Sequence, residues 1–564
     1  MKFFSSFITK INQKIQSLSL SKKFFFGSFL IIFILSFLGI LNQVSNRFGI
    51  QQPVHSGTVR EGILGTPRFI NPILAISDTD RDLTRIIYSG LVRSIPQNDG
   101  TQEIIPDLAE SYSLSEDGKT YTFKLKKDNV FHDNTPITSE DVIFTITTIQ
   151  DSRFQSLLLP QWSGVTTTII DDVTFSFTLS HPFSGFLETI AETGILPKHI
   201  WKNLTVDEFI ASSWNISPIG SGPYRVKKII RDTTGTIQSY TLQSFNKFAL
   251  GKPYIKKFVI KFYSNEQNLL QGYQTKSFDL LANIHPYEIT PQNTKQVFTT
   301  PLPRMFGLFI NENNSEIFKN KKLQEIITLA INYDEIIQNV FQGYAKTITY
   351  PIPNQDNINK NFENRNLEKE LDVLGWKLNP ETGIREKDGK PLVWNISTAD
   401  TSELKYTAQI IQKQLKVIGI MVEIHIFPLN DLESSIIKDK SFETLLFGQL
   451  VKNDGDLYAF WHSSQRNNLE LNITGYTNSR IDTILETLIT TTDTTSRNII
   501  LNELKEEIIK APVIWLFQPD FMYVTNNIII YGIEPLSVTT RDDRFNTIYQ
   551  WYLNTESIWN IFTK

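Results

Sequence analysis

The stretch Asp107–Ile146, DLAESYSLSEDGKTYTFKLKKDNVFHDNTPITSEDVIFTI, carries two hydrophobic periods in succession. Tyr121, Phe123 and Leu125 alternate with Thr120, Thr122 and Lys124, which predicts a strand with one apolar face. Ahead of it, Glu116-Asp117-Gly118-Lys119 supplies an Asp-Gly pair whose members both tolerate positive φ, so a hairpin is predicted to close there. Pro136 then breaks the chain. Thr138, with Asp141 three residues on, has the spacing of a capping box and opens a helix carrying Val142 and Ile146.

Further out, Phe175, Phe177 and Leu179 after Ile169-Ile170-Asp171-Asp172-Val173 predict a second hairpin. The clearest strand–helix–strand unit lies downstream. Ile410, Ile411, Leu415 and Ile418 make one helix face, Gly419 ends it, and Val422, Ile424 and Ile426 alternate with Glu423 and His425. A short crossover helix between strands marks a parallel or mixed α/β sheet.

At 564 residues the chain is long enough for about three to four folding units. Hydrophobic residues at 40% and charged residues at 20% make it globular rather than disordered, and a net charge of −4 offers nucleic acid no basic footprint. There is no cysteine, which excludes disulfides, thiolate metal sites and an acylated cysteine as anchor. The histidines show neither i, i+4 pairing nor H-E-x-x-H, and no G-x-S-x-G elbow occurs. Gly118-Lys119-Thr120 ends like a phosphate-binding loop, but Ser113 stands where that loop needs glycine. No cofactor is implied and no catalytic constellation is visible.

Residues 1–23 hold five lysines and no acid, and Phe24–Asn46 carries no charge. Within the run Phe24–Leu41, 14 residues are Phe, Leu or Ile, an insertion gain of about −5 kcal/mol. The reading is a cytoplasmic basic tail (1–23), a transmembrane anchor (24–44) and a polar linker (45–57), with residues 58–564 outside the membrane. A cleaved signal peptide is the rival, without a clear small-residue cleavage site.

The words of the opening stretch, with Asn71-Pro72, YSGLV (88–92), GILPKHIW (194–201), IGSGPYRV (219–226), FGLFINENN (306–314) and APVIWLFQPDFMYV (511–524), occur in one order. In that order they resemble the extracytoplasmic solute-binding proteins of ABC importers, in the branch that takes oligopeptides, dipeptides and nickel complexes. The resemblance implies a two-lobed α/β periplasmic-binding-protein fold of type II, in the large three-subdomain cluster. Its main lobe would come from about 58–98, 215–305 and 525–564, its small subdomain from 99–214 and its second lobe from 306–524. It further implies a monomeric, non-enzymatic binding protein that delivers a peptide to permease and ATPase subunits. A metal complex, a sugar or another small molecule on the same fold is the alternative, as is an enzyme or an adhesion or chaperone-like surface protein.

By the same resemblance Ser77 and Asp78 belong to a ligand loop, although a helix cap is the simpler role for Asp78. Gly220, Gly222 and Pro223 stand where the chain returns from the small subdomain to the main lobe, as a hinge or as a tight turn. In peptide-binding relatives an acid in the loop Lys452–Trp461 meets the peptide's ammonium, and here that register holds Asn453 or Asp454. Asp454 or Asp456 would then take the ammonium, with Tyr458 and Trp461 as walls of the cavity. The other reading of the two acids is that they cap the following helix.

Overall fold

A computed structural model describes residues 19–97, 102–282, 294–315, 317–352, 365–452, 454–467, 471–491 and 493–559. They form two compact units, one from the chain's two ends (up to Ser56 and from Tyr552) and one spanning Gly57–Trp551.

In the first unit the helix Leu20–Phe48 contains the apolar stretch Ser21–Ile40, whose 20 residues are long and apolar enough to cross a membrane. Phe24, Phe25 and Phe29 on it are exposed. Where the sequence reading placed a linker over 45–57, the helix runs on to Phe48 and Gly49–Pro53 is a strand. That strand pairs antiparallel with Thr555–Trp559, Gly49 opposite Trp559 and Pro53 opposite Thr555. Its partner comes from the far end of the chain, so no local pattern announces the pairing.

The second unit is built on one mixed sheet. Its strands run in the order Met421–Phe427, Val393–Ala399, Thr444–Leu450, Arg304–Ile310, Val513–Thr525, Leu280–Ala282, Ser56–Leu64, Ile255–Tyr263, Ile237–Ser244 and Tyr224–Arg231. Val513–Thr525 is the strand on which both lobes are hung. Its residues Val513–Phe517 pair with Phe306–Phe309 of one lobe, and Asp520–Thr525 pair with Gln296–Pro301 of the other. The expected lobe boundary at 524/525 therefore falls inside a strand, and the crossing comes earlier, near Pro519. Gln518-Pro519-Asp520 interrupts the apolar run there, and the strand continues through it.

The second lobe has the predicted crossover: Val393–Ala399 and Met421–Phe427 are parallel, joined by the helix Ser402–Val417, and Gly419 has φ 83°. Leu323, Ile326 and Ile327, then Ile336, Val340 and Phe341, bury the faces of two further helices in one core with Trp394, Leu446 and Trp515.

The opening stretch forms part of a four-stranded antiparallel sheet in the order Ala109–Leu114, Thr120–Leu125, Thr174–Thr178, Thr166–Ile169. Tyr121, Phe123 and Leu125 are buried, Phe123 stacking on Phe175 at 5.9 Å. The capping box is present: Asp141 Oδ2 accepts from the Thr138 backbone at 2.9 Å. In the hairpin turn only Gly118 has positive φ, 70°, so it closes through a longer loop in which Ser115 N donates to Thr120 O at 2.9 Å, rather than through two left-handed residues.

Candidate ligand cleft

The cleft helix Asp78–Ile87 sets one wall. Leu83, Ile86 and Ile87 are fully buried on its core face. Arg81, Thr84, Arg85 and Tyr88, at i, i+3, i+4 and i+7, fall on the neighbouring face and line a cavity of 360 Å³. Opposite them stand Leu450 and Lys452, at the end of strand Thr444–Leu450 in the second lobe. A second cavity of 290 Å³ adjoins the first, sharing Arg85, Ala191, Glu192 and Lys452 with it. Its other lining includes Glu188, Pro301, Pro303, Gln518 and Asp543, again from both lobes. The second cavity thus lies at the crossing between the lobes, beside Pro301, Pro303 and Gln518.

The charges here are mixed and mostly paired. Arg85 donates to Asp542 at 3.0 Å and to the Ala191 carbonyl at 3.0 Å, and reaches Asp543 at 3.4 Å. Burial raises both carboxyls, but Arg85, the Thr540 hydrogen bond and Arg81 together hold Asp542 below the usual range, while Asp543, beside the Asp542 charge, stays raised. Glu192 faces Lys452 across the lobes at 3.7 Å, and burial pushes its carboxyl up more than Lys452 and Arg85 pull it down. Arg93 and Asp107 form a buried pair at 2.6 Å at the edge of the first cavity.

Ser77 caps the cleft helix in a capping box with Asp80, so the cap is Ser77 rather than Asp78. Asp78 pairs with Arg81, and both Ser77 and Asp78 are exposed, away from the linings of the two cavities. Asn453 lies outside the described residues. Asp454, Asp456, Tyr458 and Trp461 share the helix Asp454–Trp461, and none of them lines either cavity. Asp454 is buried and pairs with Arg497 at 2.5 Å, while Asp456 Oδ2 accepts from the Lys452 backbone at 2.7 Å. Burial raises the Asp454 carboxyl, opposed by Arg497. Tyr458 stacks on His462 at 4.2 Å, and Trp461 is buried 6.0 Å from Trp515 in the second lobe's core.

Gly220 and Gly222 sit in a clamped junction. Gly222 N donates to Ile87 O at 2.8 Å, and His132 N donates to Gly220 O at 2.8 Å. The buried His132 ring completes the clamp, its Nδ1 accepting from Gly220 N at 3.3 Å; burial lowers its pKa to about 4, so it is neutral. Pro223 O accepts from Phe245 N at 2.8 Å, continuing the clamp into the sheet.

Sequence reasoning missed Arg85, Glu188, Glu192, Lys452, Asp542 and Asp543. The polar face Arg81-Thr84-Arg85-Tyr88 was legible as spacing, but a polar helix face is ordinarily solvent. Among the described residues no group of three or more His, Cys, Asp or Glu side chains is placed to hold a metal ion.

A family model described as bacterial extracellular solute-binding proteins, family 5 Middle, matches residues 103–468. The oligopeptide-binding protein AppA of Bacillus subtilis is 25% identical over 527 residues, covering 89% of this chain and 92% of the relative. Among solved structures, NikA from Brucella suis in complex with Fe(III)-EDTA is similar with a TM-score of 0.73 at 18% identity, over 88% of this chain and 100% of that one. AppA of B. subtilis in complex with a nonapeptide is similar with a TM-score of 0.65 at 23% identity, over 89% and 100%. These likenesses carry the fold, and the match over residues 103–468 carries the family: the chain belongs to the bacterial extracellular solute-binding proteins, family 5.

Proposed function

We propose that the protein is the substrate-binding component of an ABC importer that captures peptides between its two lobes and delivers them to a permease served by ATPase subunits. The observation that carries this reading is the lining of the two adjoining cavities: charges of both signs, contributed by both lobes. A peptide brings an ammonium, a carboxylate and a row of backbone donors and acceptors, which such a lining can meet without reading side chains. Contacts to both lobes make closure the ligand-stabilised state. The second cavity holds Glu188, Glu192 and Asp543 against Arg85 and Lys452, and suits the ammonium end. Asp454 lies behind this wall with its charge met by Arg497, so it shapes the local field. A pocket of 720 Å³ lined by Phe306, Leu404, Phe447, Phe460 and Ile473 shares Leu450 with the cleft and offers room for an apolar side chain.

Short peptides should raise the melting temperature, and acetylating their N-terminus should weaken binding on the order of tenfold, as for loss of a charge-assisted partner. Glu192→Gln should remove most of that penalty, while Asp454→Asn should leave it in place. Calorimetric titration of free and acetylated peptides decides. A penalty abolished by Asp454→Asn alone would put the ammonium at Asp454 in place of Arg497, and no response to any peptide pool would move the ligand to another solute.

The proposal includes the helix Leu20–Phe48 as an uncleaved anchor, with the large unit outside the cell membrane. Full-length protein should then sediment with membranes, and protease added to intact cells or spheroplasts should digest the large unit. A soluble mature protein beginning between about residue 45 and residue 57 would show a cleaved signal instead.

A further inference from the structure

Three neighbouring strands at one edge of the large sheet, Tyr224–Arg231, Ile237–Ser244 and Ile255–Tyr263, hold four, none and three Lys or Arg residues and no Asp or Glu. The chain as a whole has a net charge of −4, so this is a local excess and not a general one. Register puts much of it on one face. Gln243 pairs with both Arg225 and Lys257, and Thr241 pairs with Lys228, while Leu242, with Val226 and Phe258 opposite it, turns to the core. Lys227, Lys228, Lys256 and Lys257 are exposed, and no ion pair among the described residues involves them. Lysines on an edge strand keep it from pairing with another chain, which accounts for Lys227 and Lys228. It does not account for Lys256 and Lys257, two strands inside the edge.

The basic end of these strands is also the end at which the chain enters the sheet. Gly65 N donates to Tyr263 O at 2.8 Å, so Ser56–Leu64 and Ile255–Tyr263 finish together and run parallel. Ser56 therefore starts beside Lys256 and Lys257. The small subdomain adds charge of the same sign there, in a groove lined by Lys126, Lys127 and Lys247, where Glu110 is already taken by Lys124 and Asp128 is the one other acid. Seven residues, 49–55, join the helix Leu20–Phe48 to Ser56 and reach at most about 25 Å. A membrane that holds the helix keeps the basic end near its surface, and so short a tether makes even a weak attraction effective. The charge is spread over a sheet face and not gathered in a pocket, which fits a planar array of phosphates better than one small anion.

We propose that this basic sheet face rests on the anionic phospholipid headgroups of the membrane that holds the helix, so that the protein stands on the bilayer by its main lobe. This rests on reading Leu20–Phe48 as an anchor. The chain has no cysteine, so a single introduced one takes a fluorescent label cleanly. Full-length protein labelled at Asn246→Cys, in the exposed loop at the basic end, is reconstituted in vesicles of phosphatidylcholine alone or of phosphatidylcholine with phosphatidylglycerol, each carrying a headgroup quencher. A label at Lys390→Cys, in the second lobe, is the control. Quenching at Asn246→Cys should be about threefold stronger on the anionic vesicles than on the neutral ones, with no difference at Lys390→Cys, and high salt should abolish the gain. Reversing the charge of the face with Lys227→Glu, Lys228→Glu, Lys256→Glu and Lys257→Glu together should abolish it too, and the milder pair Lys256→Gln with Lys257→Gln should remove about half of it. Equal quenching on the two compositions, or a difference that both variants keep, overturns the proposal. Quenching that appears only after a permease is added overturns it as well, and makes the face a protein-docking surface. Flotation with the neutral vesicles tests the anchor separately: protein that floats with anionic vesicles alone, and no longer does so when the four charges are reversed, would sink the anchor and leave the face standing.

Discussion

Arg544→Met should destabilise the large unit by about 3–5 kcal/mol, the cost of leaving buried charges without their partner. Arg544 is about 1% exposed and sits between Glu61 and Asp82, both fully buried. It donates to Glu61 at 2.8 Å and to Asp82 at 2.6 and 2.8 Å. Tyr523, on the strand that crosses between the lobes, donates to the other oxygen of Glu61 at 2.7 Å. The network therefore joins the first strand of the main lobe, the cleft helix, the crossing strand and the C-terminal segment. Burial raises the Glu61 carboxyl and Arg544 lowers it; without the guanidinium, burial acts unopposed by its main counter-charge. Urea unfolding followed by tryptophan fluorescence measures the loss. Adding Asp82→Asn to Arg544→Met should recover part of it, since one of the stranded charges is then gone. A loss under about 1 kcal/mol would mean that the packing of Phe545 and Trp551, rather than the ion network, holds the segment.

Gly220→Ala should cost about 3 kcal/mol or more, at the upper end of what overpacking a filled site costs. A Cβ at Gly220 would stand 2.1 Å from Ile87 O, and one at Gly222 would stand 2.6 Å from Ile86 O. The obstacle is backbone at the end of the cleft helix, so it cannot swing aside like a side chain. Neither glycine has positive φ among the described residues, so their smallness is used for close approach and not for turn geometry. The expected readout is a lower melting temperature together with weaker ligand binding, because the collision pushes on the end of the helix that carries Thr84 and Arg85. A freely pivoting hinge would accept the alanine with little change, so a silent Gly220→Ala would return this junction to that role.

Local pattern settled much of this protein. The alternation at Tyr121–Leu125, the Thr138–Asp141 capping box, the crossover unit ending at Gly419 and the apolar helix near the N-terminus all depend on neighbours a few residues apart. Such signals reside in the chain itself and pointed to a mixed α/β chain, while the family resemblance rested on the motif words in their order and implied the two-lobed fold. The candidate cleft is of another kind. Arg85 meets Asp542 across 457 positions of sequence and Lys452 faces Glu192 from the other lobe, so each looks like an ordinary surface charge until the lobes are folded and placed together. The sequence reading offered Asp454 or Asp456 either to a peptide ammonium or as caps of the helix, and Trp461 as a wall of the cavity. Tertiary packing gave Asp454 to Arg497 and Trp461 to the core, because a buried charge needs a counter-charge and a large apolar ring gains most by leaving water. Periodicity thus determined which face of each element is buried, and only the tertiary structure decided which polar groups end up facing one another inside the cleft.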